Sequence, residues 1–194
     1  MKRWGRWLGM GIPAAALLAV SANLLTARDP AYRLASWVAL GRYGRHDAAI
    51  RQAALRYAVE ADLLKALAWQ ASRFEAKKTG AAGERGLLQI AEPLAREWAA
   101  AERIETFMFT DLFDVDTNLR IGAWALRRAL AHGWNLDAPE TCALVEFRVG
   151  RAQAQTWAQG TNSSREFLAN ADASTRAFVR EVIARRDYYK AQGW

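Results

Sequence analysis

Residues 69–90 read WQASRFEAKKTGAAGERGLLQI, and this stretch decides the fold. An apolar helical pattern runs as far as Phe74, a glycine-rich loop follows, and the apolar turn Gly86-Leu-Leu-Gln-Ile90 closes the segment. A helix that meets such a loop and turn is typical of the shoulder of an active-site cleft. Helical spacing turns Ala71 inward at the end of the helix, and its methyl group can do no chemistry.

The remaining sequence predicts an all-helical single domain of about seven helices, because no segment alternates with the period of a strand. Gly122 lies within an apolar stripe, where it would permit close packing against a neighbouring element. The first predicted helix starts at Asp47 and has the apolar stripe Ile50, Ala53, Ala54, Tyr57 and Ala58; the second starts at Asp62 and has the stripe Leu64, Leu67, Ala68, Ala71 and Phe74. A third helix is predicted over 92–101, and a fourth starts at Asp116 or Thr117. The last three are predicted over 139–147, from the capping box of Ser163 and Glu166 onward, and over 174–190.

The first 27 residues have the pattern of a targeting segment. Lys2, Arg3 and Arg6 precede an uncharged run over residues 8–27, which predicts an export signal, a membrane anchor or both. A buried helix is the alternative. We therefore expect a signal or anchor over 1–27, a linker over 28–45, a domain over 46–194 and a location in the cell envelope, the periplasm.

Composition excludes several classes of function. If cleavage follows Ala22, three cations are removed and the formal charge falls from +7 to about +4. Such a charge is too weak to indicate nucleic acid, but it suits an anionic polymer or an acidic membrane surface. Cys142 is the single cysteine, so no intramolecular disulfide forms. His46 and His132 have no partners at metal-ligand spacing, and we expect neither a metal nor another cofactor.

Three segments carry a resemblance to a known family. LLKALAWQASRFEAKKTGAAGERGLLQI (63–90), LFDVDTNLRIGAWALRRAL (112–130) and ALVEFRVG (143–150) resemble, in order and spacing, the soluble lytic transglycosylase (SLT) domain of the goose-type lysozyme-like superfamily. The likeness covers residues 47–160. Its most specific part is Ser72 and Phe74, followed about a dozen residues later by the Gly86–Ile90 turn. The resemblance implies a lysozyme-like helical domain.

The resemblance also implies a chemistry. Such enzymes cleave the glycan strands of peptidoglycan with one glutamate, which protonates the glycosidic oxygen and then serves as base on the sugar's 6-hydroxyl, leaving a 1,6-anhydro end. In the family this glutamate directly precedes the serine, and here that position is Ala71. The cleft-lining Ala-Tyr-Asn-Ala-Gly stretch of the family reads Glu146-Phe-Arg-Val-Gly150.

Four residues are candidates for substrate binding on the family pattern. Ser72 would either cap a helix end or bind a sugar hydroxyl. Gln89 would either form hydrogen bonds to backbone groups of the turn or bind an acetamido group. Phe147 keeps an aromatic ring without a phenol oxygen. Arg148 replaces a small amide and would reach an anion such as a peptide-stem carboxylate.

No other carboxylate is an evident substitute for the missing acid. Glu75 would lie about 6 Å further along the helix, too far for a positioned proton transfer. Glu84 belongs to the glycine-rich loop. Glu146, in the cleft-lining stretch, is the best substitute, although it would equally serve as a structural partner for an arginine.

Three hypotheses follow. The first is a catalytically inactive SLT-like domain that binds peptidoglycan glycan strands. The second is an active lytic transglycosylase with a relocated acid, Glu146 first and Glu84 next. The third is a non-enzymatic module that binds another protein of the envelope. Nucleic acid is not an expected partner, because the positive charges are scattered along the chain.

Overall fold

The computed structural model describes residues 30–38, 41–132 and 136–194. The chain divides into two compact units between Arg42 and Tyr43. Helix α1 (Pro30–Val38) belongs to the first unit and lies within the predicted linker, residues 28–45. Its first residue is a proline, which is favoured at the first position of a helix. The predicted targeting segment, 1–27, lies outside the described residues. None of the helices described is long and apolar enough to span a membrane.

The second unit, residues 43–194, is helical throughout its described part, and the all-α prediction is confirmed. The extended pairing observed there consists of two isolated bridges, Thr79 with Arg85 and Arg85 with Ile90. The helices are α2 (Asp47–Tyr57), α3 (Ala61–Ser72), α4 (Glu92–Ala101), α5 (Val115–Ala131), α6 (Pro139–Val149), α7 (Arg151–Ala158), α8 (Ser164–Asn170) and α9 (Ala173–Gln192), with a 3-10 turn at Phe109–Phe113 before α5.

Helix α5 is the centre of this unit. It packs against α2, α4 and α6, and α9 packs along α3 and α6. Leu119 and Leu126 of α5 are completely buried, which stabilises the fold by about 1.5–3 kcal/mol for each side chain. The prediction of close packing at Gly122 is confirmed, because a Cβ atom at this position would stand only 2.1 Å from Cδ1 of Leu88.

Helix α3 ends two residues earlier than its apolar stripe predicts. Arg73 and Phe74 both adopt the left-handed backbone region, at φ +55° and +62°, and this turns the chain out of the helix. The stripe predicted Phe74 to be part of the helix, and the structure shows that it is not. It still reaches the core, because its ring is 2% exposed and lies 6.0 Å from the ring of Trp69.

The N-termini of three helices can be compared with the capping residues that the sequence predicts. Ser163 accepts a hydrogen bond from the Glu166 backbone N–H, as the capping box predicts. Asp114, two residues before the predicted start, caps α5 by accepting from the backbone N–H of Thr117. Asp47 does not cap α2 with its side chain; its carboxylate forms an ion pair with Lys65 at 2.8 Å instead.

Helix α7 was not predicted. Its sequence, RAQAQTWA, buries only Ala154, so it lacks the apolar stripe by which a helix is recognised. Gly150, at φ +82°, separates it from α6, which extends to Val149, two residues further than predicted. This break between two helices places the residues on either side of Gly150 at the rim of a cleft.

Candidate functional site

A cleft of about 1110 Å³ opens in the second unit. Its walls come from the end of α3, the loop between α3 and α4, the first turns of α4, the C-terminal part of α5, the junction of α6 and α7, and the first turns of α9. These elements bring together most of the predicted site residues, which lie far apart in the sequence. The cleft-lining residues used below are Ala71, Lys78, Glu84, Gln89, Glu146, Phe147, Arg148, Arg151, Phe178 and Glu181.

Ala71 lines this cleft from the last turn of α3. The side chain of Lys78 reaches back from the loop, and its Nζ donates a hydrogen bond of 2.7 Å to the carbonyl oxygen of Ala71. This contact satisfies one of the carbonyls that a helix leaves unpaired at its C-terminus. Glu75 follows the end of the helix, is exposed and does not line the cleft. The position predicted for the acid therefore holds a methyl group beside an ammonium group.

The glycine-rich loop is held by Asn118, a completely buried residue that the sequence analysis did not single out. Its Oδ1 accepts from the Leu88 N–H at 2.8 Å, while its Nδ2 donates to the carbonyl oxygens of Arg85 and Leu112, each at 2.9 Å. The chain passes so close here that a Cβ at Gly86 would lie 2.2 Å from Nδ2 of Asn118. Only glycine fits this position, which also has φ +79°.

Gln89 and Ser72 have different surroundings. Gln89 lines the cleft, but its Nε2 donates to the carbonyl oxygens of Lys78, at 3.0 Å, and Gly86, at 2.8 Å, so only Oε1 remains to accept from a ligand. Ser72 is 2% exposed and does not line the cleft. Its hydroxyl is within hydrogen-bonding distance of two carbonyl oxygens, those of Ala68 (3.2 Å) and Leu87 (2.7 Å). These contacts hold the apolar turn to α3.

Glu146 is buried on α6, with 4% of its side chain exposed, and it contacts the cleft wall. Its Oε2 lies 2.8 Å from Nδ1 of His132, and Nε2 of the same ring lies 2.8 Å from a guanidinium nitrogen of Arg151. An arginine can only donate, so Nε2 is the acceptor. Nδ1 therefore carries a proton and donates a hydrogen bond to Glu146. The other carboxylate oxygen, Oε1, is buried without a hydrogen-bond partner in the described chain.

The sequence analysis missed the role of His132 and Arg151. His132 had been considered only as a metal ligand, and Arg151 had not been considered. The three side chains stand 14 and 19 positions apart along the chain, so no short motif joins them. Within the described ranges, no group of histidine, cysteine and acidic side chains could hold a metal ion.

The last two predicted residues lie at the cleft beside this chain of hydrogen bonds. Phe147 is half-buried, and Arg148 is exposed. The guanidinium carbon of Arg148 lies 5.4 Å from the ring centroid of Phe178 on α9, within the range of a cation–π contact. Glu84, the second candidate acid, is half-buried in the cleft wall and accepts from the Ala82 N–H at 3.1 Å.

Solved structures with a similar fold support this description of the domain. An inactive mutant of the lytic transglycosylase Slt from Pseudomonas aeruginosa matches 77% of this chain at 20% identity, with a TM-score of 0.67. The 70 kDa soluble lytic transglycosylase from Escherichia coli matches 75% at 20% identity, and a complex of the 70-kDa enzyme with bulgecin A matches 76% at 21%, both with a TM-score of 0.67. The chain spans about a quarter of each of these structures, 24%.

A search among curated proteins finds no significant relative. The family comparison is decisive, since the Transglycosylase SLT domain matches residues 48–170. This range contains α2 except its first residue, α3 to α8 and the whole glycine-rich loop. The chain belongs to the transglycosylase SLT domain family.

Proposed function

We propose that this protein is exported to the cell envelope and binds the glycan strands of peptidoglycan in its cleft without cleaving them. Family membership and the cleft support a function on peptidoglycan. The absence of cleavage rests on one observation, the methyl group of Ala71 at the position from which the family delivers its proton. Export rests on the charge pattern of residues 1–27.

The chemistry explains why one residue matters so much. A positioned general acid or base contributes about 10²–10⁴-fold to a rate, and in this family one glutamate performs both proton transfers. Alanine can perform neither transfer. The neighbouring ammonium of Lys78 cannot replace the glutamate as base while it carries its proton, and its hydrogen bond to the Ala71 carbonyl holds it at the helix end.

One observation favours a second candidate function, an active enzyme that uses Glu146. This carboxyl group is buried, contacts the cleft wall and has one oxygen without a partner among the described residues. Against it stands the hydrogen bond from His132, in which Glu146 serves as an acceptor. A general acid needs a proton directed at the glycosidic oxygen, whereas this carboxylate is organised to receive one.

The two candidates are separated by incubating the full-length protein with purified peptidoglycan sacculi. Sedimentation measures binding, and chromatography of the soluble fraction measures 1,6-anhydro-muropeptides. We expect the protein to sediment with sacculi and to release no anhydro products above a no-enzyme control. Release of products that is abolished by Glu146→Gln would establish the second candidate instead. The substitution Glu181→Gln, at an exposed cleft-lining carboxylate, is the matched control.

The sedimentation measurement also tests the proposal itself. A protein that fails to sediment with sacculi at both low and high salt does not bind peptidoglycan. Such a result would favour the third hypothesis, a module that inherited the fold and binds another envelope protein. Repeating the assay at two salt concentrations distinguishes a specific complex from loose attraction between a basic protein and an anionic polymer, because salt screens the latter.

A further inference from the structure

Two arginines stand on the rim of the cleft on either side of Gly150. Arg148 lies in the last turn of α6, and Arg151 is the first residue of α7. Both are exposed, and both line the cleft. Neither forms an ion pair with a carboxylate anywhere in the described part of the chain. We refer to Arg148 and Arg151 as the arginine rim.

Each guanidinium of the arginine rim contacts a neighbouring ring rather than a carboxylate. Arg148 lies over the ring of Phe178 at 5.4 Å. Arg151 donates to Nε2 of His132, and Glu146 contacts the opposite nitrogen of that ring. Glu181, one turn after Phe178 on α9, also lines the cleft but forms no ion pair with either described arginine. Side chains held in this way lose less conformational entropy when they bind a ligand.

The arginine rim has donors for a planar anion. A guanidinium carries five N–H donors in a fixed fork that matches the two oxygens of a carboxylate, and only one nitrogen of Arg151 is engaged with His132. An uncharged sugar chain offers no group that needs two guanidinium ions. The N-acetylmuramic acid units of peptidoglycan, by contrast, carry carboxylates, either on their peptide stems or on the lactyl group when the stem has been removed.

We propose that the arginine rim binds a carboxylate attached to the muramic acid side of the glycan, and that His132 and Glu146 act as positioning residues for Arg151. This inference rests on the proposed function, because it names the part of peptidoglycan that the cleft distinguishes. Arg148 and Arg151 would make the cleft prefer glycans that carry such a carboxylate. The remainder of the cleft, including the free Oε1 of Gln89, binds the sugar backbone.

Three soluble probes test the proposal by calorimetry on the full-length protein. Chitotetraose has no carboxylate, an amidase-treated glycan tetramer has only lactyl carboxylates, and the untreated tetramer carries peptide stems. We expect both muramic acid probes to bind more tightly than chitotetraose. The tighter of the two identifies the source of the carboxylate. The preference should shrink as salt is raised, because exposed charges are screened.

Substitutions show which residues supply the preference. Arg148→Gln and Arg151→Gln should each weaken binding of the preferred carboxylate probe by about three- to tenfold and leave chitotetraose binding unchanged. Arg127→Gln removes an exposed arginine of α5 that does not line the cleft, and it should change neither. Equal binding of all three probes by the unaltered protein, or an equal loss in Arg127→Gln, overturns the proposal. If no probe binds and the protein does not sediment with sacculi, the proposed function itself is wrong.

The positioning role has a spectroscopic readout. The protein contains two histidines, so the ring nitrogen signals of His132 are assigned by comparison with His46→Gln. We expect the neutral tautomer with the proton on Nδ1. Arg151→Gln should preserve that proton, while His132→Gln should retain the carboxylate preference because its amide can accept from Arg151 and donate to Glu146. His132→Leu should lose the preference. If His132→Leu keeps it at full strength, the positioning role is wrong.

Discussion

The ammonium group of Lys78 lies 2.7 Å from the carbonyl oxygen of Ala71, so a cation is bound to the backbone of the residue at which the family resemblance predicts an acid. Both residues line the cleft. The contact stabilises the C-terminus of α3, where positive charge is favourable to the helix dipole. It also places a positive charge close to any carboxylate that is introduced at position 71.

This relationship predicts that Ala71→Glu alone restores little cleavage. A glutamate can hold its proton near neutral pH only if burial raises its pKa, and an adjacent ammonium opposes that rise, often by about 1–3 units. The new glutamate would therefore be ionised at neutral pH and could not protonate the glycosidic oxygen. Ala71→Glu combined with Lys78→Met should release anhydro-muropeptides at least about tenfold faster than Ala71→Glu alone. The measurement is the initial rate of product release from sacculi at pH 7.

The control for this pair is Ala71→Glu combined with Lys77→Met. Lys77 is an exposed neighbour whose Nζ donates to the carbonyl oxygen of Phe113 rather than of Ala71. The three variants are also measured in a background that carries Phe147→Tyr and Arg148→Asn, because contacts within one site are not independent. Equal rates with and without Lys78 would show that this cation has no influence on position 71.

Sequence predicted those parts of the fold that depend on neighbours three or four positions apart. The buried part of the α2 stripe, the Ser163 cap and the close approach at Gly122 all follow from such spacing. The end of α3 was misplaced because two consecutive non-glycine residues, Arg73 and Phe74, adopt left-handed backbone conformations. Such conformations are uncommon outside glycine and carry no reliable sequence signal.

The candidate site was predicted less completely, because its residues depend on hydrogen-bond partners that lie far away in the sequence. Ala71, Gln89, Glu146, Phe147 and Arg148 were placed by resemblance to a family motif, and all of them line the cleft. The partners that determine what these residues can do come from other elements at long sequence separation. Lys78, Asn118, His132 and Arg151 act through hydrogen bonds that only the folded chain creates.

Asn118 should be essential for stability. Asn118→Leu keeps the branched shape of the side chain but removes three hydrogen bonds and leaves the N–H of Leu88 buried without a partner. We expect the free energy of unfolding to fall by about 3 kcal/mol, measured by urea denaturation. Asn170→Leu is the control, because this exposed asparagine makes one hydrogen bond, to the carbonyl oxygen of Trp157, and should cost less than about 1 kcal/mol. Similar losses in the two variants would contradict the role of Asn118.

Cys142 should report on unfolding. The residue is completely buried on α6, and burial raises the pKa of its thiol to about 11, so little thiolate exists at pH 8. We expect a thiol reagent to label the native protein at least about 100-fold more slowly than the urea-unfolded chain. Because Cys142 is the only cysteine, the stoichiometry is unambiguous. Rapid labelling of native protein at pH 8 would mean that α6 opens locally.

Lys65 should make the free energy of unfolding depend on pH in the alkaline range. This lysine is 3% exposed; its Nζ lies 2.8 Å from Oδ1 of Asp47 and 3.8 Å from the ring centroid of Trp194. Burial lowers the pKa of Lys65 below its usual 10.5, and the hydrogen bond to Asp47 opposes this only in part. The folded protein therefore loses this proton at a lower pH than the unfolded chain does.

The sign of the effect follows from proton binding. Between the lowered pKa of folded Lys65 and 10.5, the unfolded chain binds more protons, so the free energy of unfolding contributed by Lys65 rises with pH. Its slope cannot exceed about 1.4 kcal/mol per pH unit for a single group. Urea denaturation at pH 7, 9 and 10 should give a more positive slope for the unaltered protein than for Lys65→Met. Lys190→Met, at an exposed lysine paired with Glu60, should leave the slope unchanged. A slope in Lys65→Met equal to that of the unaltered protein would mean that burial does not disfavour the charge of Lys65.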